Sequence, residues 1–143
     1  MKKIAYGRFV LVHAGHEKLF EASGLVVVSN PADYHLAMLN RLYGRKFLGR
    51  NGSPFSWMGA LRDQCGPIEL VVGQDNQVLA NRLLINGLID SILLVERPLG
   101  SPSSSAIRWA FEQGVKPETL LAQGVFTSEA SADYAYKRYQ EGF

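Results

Sequence analysis

The sequence predicts an α/β fold, in which a parallel sheet is sandwiched between helices in one compact domain spanning residues 1–143. Short runs rich in Val, Ile and Leu lack the alternation of half-exposed strands, which is typical of strands buried on both faces of a parallel sheet. Helical patterns separate these runs, as βαβ units require. A length of 143 residues suits a single domain.

Four runs are predicted to be the strands: Lys3–Tyr6, Leu25–Ser29, Ile68–Val72 and Ser91–Val95. The segment Gly44–Pro54 is rich in Gly, Asn and Arg and is interpreted as a loop. The sheet is therefore expected to have four core strands. In such folds ligands bind at the carboxyl ends of the strands.

Five segments carry the periodicity of amphipathic helices. They are Glu17–Ala22, Asp33–Tyr43, Ser56–Gln64, Gln77–Ile85 and Ser104–Gln113. Gly66, Gly87 and Gly114 follow three of them as stop signals. The tail Thr127–Phe143 is predicted to form a last helix.

The composition argues against a largely disordered chain, a collagen-like repeat protein and a coiled-coil array. The hydrophobic share of 47% and the charged share of 20% are those of a globular domain. A net charge of +2 gives no argument for nucleic acid or membranes as partners. Cys65 is the single cysteine, and no leader or lipidation motif is evident, so we expect a cytoplasmic protein. The sequence leaves the oligomeric state open and is compatible with a homo-oligomer.

Two histidines follow the first predicted strand. His13 and His16 are separated by Ala-Gly, and Gly7 and Gly15 allow the backbone to approach a ligand closely. Imidazoles beside a helix N-terminus can donate hydrogen bonds to phosphate oxygens and stabilise charge during nucleotidyl transfer. The alternative is a pair of satisfied turn histidines. The zinc signature H-E-x-x-H is absent, so we expect no metal ligands here.

A serine cluster precedes the fifth predicted helix. Ser103, Ser104 and Ser105 bring hydroxyls and free N–H groups to the positive end of that helix. Arg108 follows at i+3 and i+4 spacing, so its guanidinium shares a helical face with the hydroxyls and can bind phosphate bidentately. The alternative is an ordinary capping cluster with a surface arginine.

Two further turns end predicted strands. Gly73 and Asp75 follow the third strand, and Arg97 follows the fourth. A Gly-x-Asp turn ends many strands, and the alternative role of Asp75 is an Asx cap for the helix at Gln77.

These motifs resemble the two signatures of the nucleotidylyltransferase superfamily, whose members join a nucleoside triphosphate to a phosphate-bearing substrate. A glycine-aromatic turn followed by H-x-G-H is similar to the first signature. The pattern S-S-S-x-I-R over Ser103–Arg108 is similar to the second, with Pro102 in its usual apolar place. The signatures occur in the family's order, at the family's strand ends.

The resemblance implies a Rossmann-like fold and specific roles. His13, His16 and Arg108 would be the catalytic residues, the histidines on the α- and β-phosphates and Arg108 on the β- and γ-phosphates. The implied nucleotide-binding residues are Gly7, Arg8, Phe9, Gly15, Gly73, Asp75, Arg97, Ser103, Ser104 and Ser105. Mg²⁺ would bridge the triphosphate, without a carboxylate cage of its own. The expected partners are a nucleoside triphosphate and a phosphate-bearing small molecule, and neither membrane nor nucleic acid is expected.

The opening Gly7-Arg8-Phe9 resembles that of nicotinamide-mononucleotide adenylyltransferases. It favours transfer of AMP from ATP to a mononucleotide such as nicotinamide mononucleotide. Leu11 instead resembles the cytidylyltransferases of glycerol phosphate and choline phosphate, although Arg8 and Val10 depart from their G-T-F-D motif. The alternatives are therefore a cytidylyltransferase that makes a CDP-alcohol, and a non-catalytic nucleotide-binding module. The module is supported by the short segment between the second predicted strand and Gly73, where many members of the family have an additional strand and helix.

Two other features are assigned structural roles. A solvated basic loop is expected where aromatic residues interleave with basic ones: Arg41, Tyr43, Arg45, Lys46, Phe47 and Arg50. The alternatives there are a lid over the substrate phosphate or a patch for RNA. Trp57 and Trp109 are expected in the core.

Overall fold

A computed structural model of the chain describes residues 1–44, 47–96 and 102–143. The described residues cluster into two compact units. The first unit comprises Met1–Arg8 and Leu19–Glu96, and the second comprises Phe9–Lys18 together with the described residues from Pro102 to Phe143.

The first unit contains a five-stranded, all-parallel sheet. Its strands are β1 (Lys2–Gly7), β2 (Leu25–Ser29), β3 (Phe47–Arg50), β4 (Ile68–Val72) and β5 (Ser91–Leu94). They lie in the order β3-β2-β1-β4-β5. The direction of strand addition reverses between β1 and β4, so the carboxyl ends of these two strands flank the topological switch point of the sheet. The predicted Rossmann-like α/β fold is confirmed.

The helices agree with the sequence patterns, except that the first and the third begin earlier than predicted, the fifth and the last predicted helices are slightly shorter, and one short helix is an addition. They are α1 (Ala14–Ala22), α2 (Asp33–Tyr43), α3 (Pro54–Cys65), α4 (Gln77–Ile85), α5 (Ser104–Glu112), α6 (Pro117–Ala122) and α7 (Glu129–Gln140), with a 3₁₀ helix at Gln74–Asn76 before α4. α3 begins early because Ser53 accepts a hydrogen bond from the Phe55 N–H group and Pro54 occupies the first helical position. The predicted last helix is present in the tail as α7. The short helix α6 was not predicted.

The sheet of the first unit is buried on both faces. One face packs on α3 and α4 through the fully enclosed residues Ile4, Leu70, Met58 and Leu83. On the other face the Phe20 ring of α1 lies 5.1 Å from the Phe47 ring and 5.3 Å from the Tyr43 ring of α2. Because helices cover both faces of the sheet, side chains on both sides of a strand are buried, which explains the continuous apolar runs in the sequence.

The predictions of a loop over Gly44–Pro54 and of four core strands are wrong. Phe47–Arg50 forms the edge strand β3, which pairs with β2. Asn40 of α2 orders the start of this strand, because its Oδ1 accepts from the Phe47 N–H group at 2.8 Å. Phe47 is buried, so the expectation of a solvated basic loop is wrong for this residue. Arg45 and Lys46 lie outside the described residues.

An ion pair connects α3 to the amino edge of the sheet. Arg62 donates to both carboxylate oxygens of Asp90, from Nε at 2.9 Å and from Nη2 at 2.7 Å. The Ile68 N–H group at the start of β4 donates to Asp90 at 2.9 Å. The bonds from Arg62 first, and then the one from Ile68, lower the pKa of Asp90 to about 2.

The second unit is built around a small core of its own. Leu11 packs there among apolar residues of the three following helices and the turn between them: Ile107, Phe111, Leu120, Phe126, Ala132 and Ala135. The Tyr136 and Tyr139 rings of α7 lie 5.1 Å and 5.2 Å from the Phe111 ring. The tail is thereby docked on α5.

The two tryptophans differ. Trp57 is buried on the sheet, as expected. Trp109 is 63% exposed, so the expectation of a core position is wrong for it. α5 buries Ile107 and Phe111, and a residue two positions from each of them lies on the opposite side of the helix. Within the part of the chain that the structure describes, no helix is long and apolar enough to cross a membrane.

Candidate functional site

Both predicted histidines lie side by side in the second unit. The rings of His13 and His16 stack with centroids 3.9 Å apart and planes inclined by 27°. His13 is 2% exposed, and His16 is half-buried. α1 begins at Ala14 rather than at the predicted Glu17, because the His13 carbonyl accepts from the N–H groups of His16 and Glu17.

Backbone N–H groups donate to Nδ1 of both rings, which favours one tautomer of each. Gly15 donates to Nδ1 of His13 at 3.1 Å, and the His13 N–H group donates to Nδ1 of His16 at 3.4 Å. A ring nitrogen that accepts a hydrogen bond carries a lone pair, so the neutral ring holds its proton on Nε2. Both Nε2 atoms are then donors, which is the role that a phosphate oxygen requires.

The absence of a side chain at Gly15 is a requirement of this arrangement. A Cβ atom there would lie 2.9 Å from Cε1 and 3.1 Å from Nδ1 of His13. Carbon atoms at 2.9 Å overlap, so any side chain would push the enclosed ring out of its stack. The structure therefore shows that Gly15 makes room for the His13 ring.

Phe9 supports the second histidine. Its ring meets the His16 ring edge-on, with centroids 5.3 Å apart and planes at 85°. Phe9 adopts a left-handed φ of 49°, which costs a non-glycine residue about 1–2 kcal/mol. Its ring is buried, so the packing that holds the ring compensates for the strained backbone.

The three serines have three different environments. Ser103 is the N-cap of α5 and accepts from the Ala106 N–H group at 3.1 Å, so the capping interpretation is correct for this residue. Ser104 donates to the Leu11 carbonyl at 3.4 Å. Ser105 is exposed, and Arg108 is half-buried on the same helix.

Leu11 joins the two motifs. Its carbonyl accepts from Ser104 across a sequence separation of 93 residues, and its side chain shares a core with Ile107 of the second motif. The N-terminal end of α5 is thereby fixed against the backbone two residues before His13. The contact that the structure shows between the two motifs is therefore at Leu11, between the start of α5 and the backbone that leads to the histidines. Hydroxyl groups, a helix N-terminus and imidazole donors are groups that suit a polyanion.

Four of the predicted residues belong to the first unit, at the carboxyl edge of the sheet. Ala5 pairs with Val71, so Gly7 and Gly73 follow at matching positions on β1 and after β4. Among the described residues, no atom beyond its chain neighbours would lie within 4 Å of a Cβ atom at Gly73. The location is the topological switch point, where ligands of such sheets bind.

The two charged members of this group are exposed. They are Arg8, after β1, and Asp75, in the 3₁₀ helix. The N-cap residue of α4 is Asn76, and its side chain makes no capping hydrogen bond. Arg97 lies outside the described residues. Among the residues that are described, no group of three or more His, Cys, Asp or Glu side chains could hold a metal ion.

Among the residues that sequence reasoning missed is a charged one that contacts the segment Val10–His16. Arg138 of α7 donates from Nε to the Val10 carbonyl at 2.7 Å. No motif or spacing indicates this contact, because the two residues are 128 positions apart.

Comparison with known proteins leaves the motifs and their geometry as the basis for a functional assignment. A scan against protein-family models finds no match to this chain, and a search of curated proteins finds no significantly similar sequence.

Proposed function

We propose that this protein is a nucleotidylyltransferase that transfers a nucleoside monophosphate from a triphosphate to a substrate phosphate and releases pyrophosphate. The favoured donor is ATP, and the favoured acceptor is a mononucleotide such as nicotinamide mononucleotide. The junction at Leu11 carries the proposal, because it associates the histidine motif with the Ser/Arg motif in one unit.

The proposed reaction needs positioning and charge neutralisation from the protein. An oxygen of the acceptor phosphate attacks the α-phosphorus, the bond to the bridging oxygen breaks, and pyrophosphate leaves with the electron pair. His13 and His16 donate from Nε2 to the α- and β-phosphates. Ser104, Ser105 and Arg108 bind the β- and γ-phosphates. Mg²⁺ enters as part of the substrate, bound to the triphosphate oxygens.

The environment of Leu11 supports ATP over CTP. Leu11 is the residue that resembles the cytidylyltransferases, but its side chain is fully enclosed in the core of the second unit. A side chain in that position packs against other side chains and does not read a base. The adenylyl-type opening Gly7-Arg8-Phe9 is then the remaining indication of the donor.

Two measurements test the proposal. Thermal unfolding with each of the four triphosphates and magnesium should show the largest stabilisation with ATP, since a ligand that binds the folded state raises Tm. Pyrophosphate release should require an acceptor, and nicotinamide mononucleotide should serve better than glycerol phosphate or choline phosphate.

The other outcomes separate the alternatives. A larger shift with CTP and turnover with choline phosphate would favour the cytidylyltransferase. Binding without pyrophosphate release from any acceptor would favour the non-catalytic module. No shift with any triphosphate would remove both transferase assignments.

A further inference from the structure

The side chain of Arg138 is an enclosed cation in the second unit. It is 4% exposed, and its Nε donates to the Val10 carbonyl at 2.7 Å. Its guanidinium carbon lies 4.2 Å from the centroid of the Phe143 ring and 5.9 Å from that of the Tyr134 ring. Burial of a charged group is costly unless the group is well paired, so these contacts hold the guanidinium in one geometry.

Within the described residues, hydrogen bonds to its backbone groups attach the segment Val10–His16 to other parts of its unit. Arg138 donates to the Val10 carbonyl at 2.7 Å, Ser104 donates to the Leu11 carbonyl at 3.4 Å, and the Ala14 N–H group donates to the Val125 carbonyl at 2.9 Å. Of the three, the bond from Arg138 is the shortest and the one with a charged donor, which makes it the strongest.

The histidine rings depend on the orientation of this backbone. His16 accepts from the backbone N–H group of His13 at 3.4 Å, which is already a long hydrogen bond. A small rotation of the peptide before His13 would break it and release the tautomer of His16. The carbonyl that Arg138 holds lies three residues before His13.

We propose that Arg138 is the positioning residue for the histidine pair. Its bond to the Val10 carbonyl orients the backbone from Val10 to His13 and thereby keeps both Nε2 atoms as donors. α7 is then part of the phosphate-binding machinery, although it carries no residue of either motif. What the rings bind rests on the proposed function, whereas their positioning is a property of the free protein.

Nitrogen-15 NMR of the histidine rings in the full chain tests the positioning directly. The wild-type protein should show His13 and His16 as single Nε2–H tautomers. In Arg138→Gln the ring nitrogens of both histidines should shift and report mixed tautomers, while His35 of the first unit serves as internal reference. Arg82→Gln is the matched control, because Arg82 also lies over an aromatic ring, 5.5 Å from the centroid of Phe55 in the first unit.

A second variant covers the case in which Arg138→Gln does not fold. Phe143→Leu keeps the arginine but removes the ring 4.2 Å from its guanidinium carbon, and it should shift the same ring nitrogens by a smaller amount. Ring signals equal to those of the wild type in the folded variants would overturn the positioning role.

Calorimetry separates this proposal from the proposed function. The dissociation constant for ATP with magnesium should rise about tenfold in Arg138→Gln. A change of this size is what the loss of one hydrogen bond typically produces. A wild-type protein that binds no triphosphate would refute the proposed function while the ring signals still decide the role of Arg138. Shifted ring signals with unchanged ATP affinity would overturn the claim that this positioning serves phosphate binding.

Discussion

The imidazole rings of His13 and His16 stack with their centroids 3.9 Å apart, and Nδ1 of each ring accepts a hydrogen bond from a backbone N–H group. Two positive charges at this distance would repel each other, so the stack suits neutral rings. The pair therefore works as a unit in which displacement of one ring disturbs the donor of the other.

His16→Ala removes one of the two donors and one side of the stack. Removal of a single preorganised donor from a site of charge development costs about 10²–10³ in rate. We expect pyrophosphate release to fall by that factor while the circular dichroism spectrum stays unchanged. Turnover at the wild-type rate would exclude a phosphate contact at this position.

Gly15→Ala should displace the His13 ring. An alanine in α1 gains about 1 kcal/mol of helix propensity, but overpacking against an enclosed ring costs about 1–3 kcal/mol. We expect a small net loss of stability in urea unfolding and clearly weaker binding of ATP. Gly24→Ala is the control, because the nearest described atom to its Cβ atom would be the Lys3 carbonyl oxygen at 3.8 Å, an ordinary contact. If the two variants bind ATP equally well, the space at Gly15 is irrelevant to binding.

The serines should separate stability from binding. Ser103→Ala loses the N-cap of α5 and should lower the free energy of unfolding by about 1 kcal/mol. Ser105→Ala changes an exposed side chain and should leave that free energy within about 0.5 kcal/mol while weakening triphosphate binding. Denaturant titration and calorimetry measure the two effects. Unaltered affinity in Ser105→Ala would show that its hydroxyl makes no phosphate contact.

Arg108→Lys keeps the charge but loses the planar fork of donors. Bidentate binding of phosphate cannot be reproduced by a point charge, so we expect the affinity for a non-hydrolysable triphosphate to fall about tenfold. Isothermal titration is the measurement, with Arg82→Lys of the first unit as the matched substitution. Equal affinities for the wild type and Arg108→Lys would place Arg108 outside the site.

Asp90→Asn should change the pH dependence of stability. Because the folded-state pKa of Asp90 is lowered from 3.8 to about 2, the ionised carboxylate stabilises the folded protein. This contribution is fully present above about pH 4 and disappears as the pH falls through about 2. We expect the variant to have a lower Tm at neutral pH and the difference to close toward pH 2. A difference in Tm that does not change with pH would contradict the assignment, and Glu21→Gln is the exposed control.

Elements defined by local patterns could be predicted with their bounds. β2, β4, α2 and α4 match because continuous β-branched runs and apolar periodicity are properties of adjacent residues. β3 was missed because four residues that include a glycine carry almost no pattern. Its existence depends on pairing with β2 and on the side chain of Asn40, which are contacts from outside the strand.

The sequence by itself determined the α/β class, the two motifs and the placement of Ser103, Ser104, Ser105 and Arg108 at the start of one helix. Only the tertiary structure decided what each side chain does there. Periodicity specifies the faces of a helix relative to its own axis, but not which face is covered, so Trp109 was misplaced. Ser103 caps its own helix, whereas Ser104 binds the Leu11 carbonyl 93 residues away. Arg138 binds the Val10 carbonyl 128 residues away. No local pattern encodes contacts over such separations.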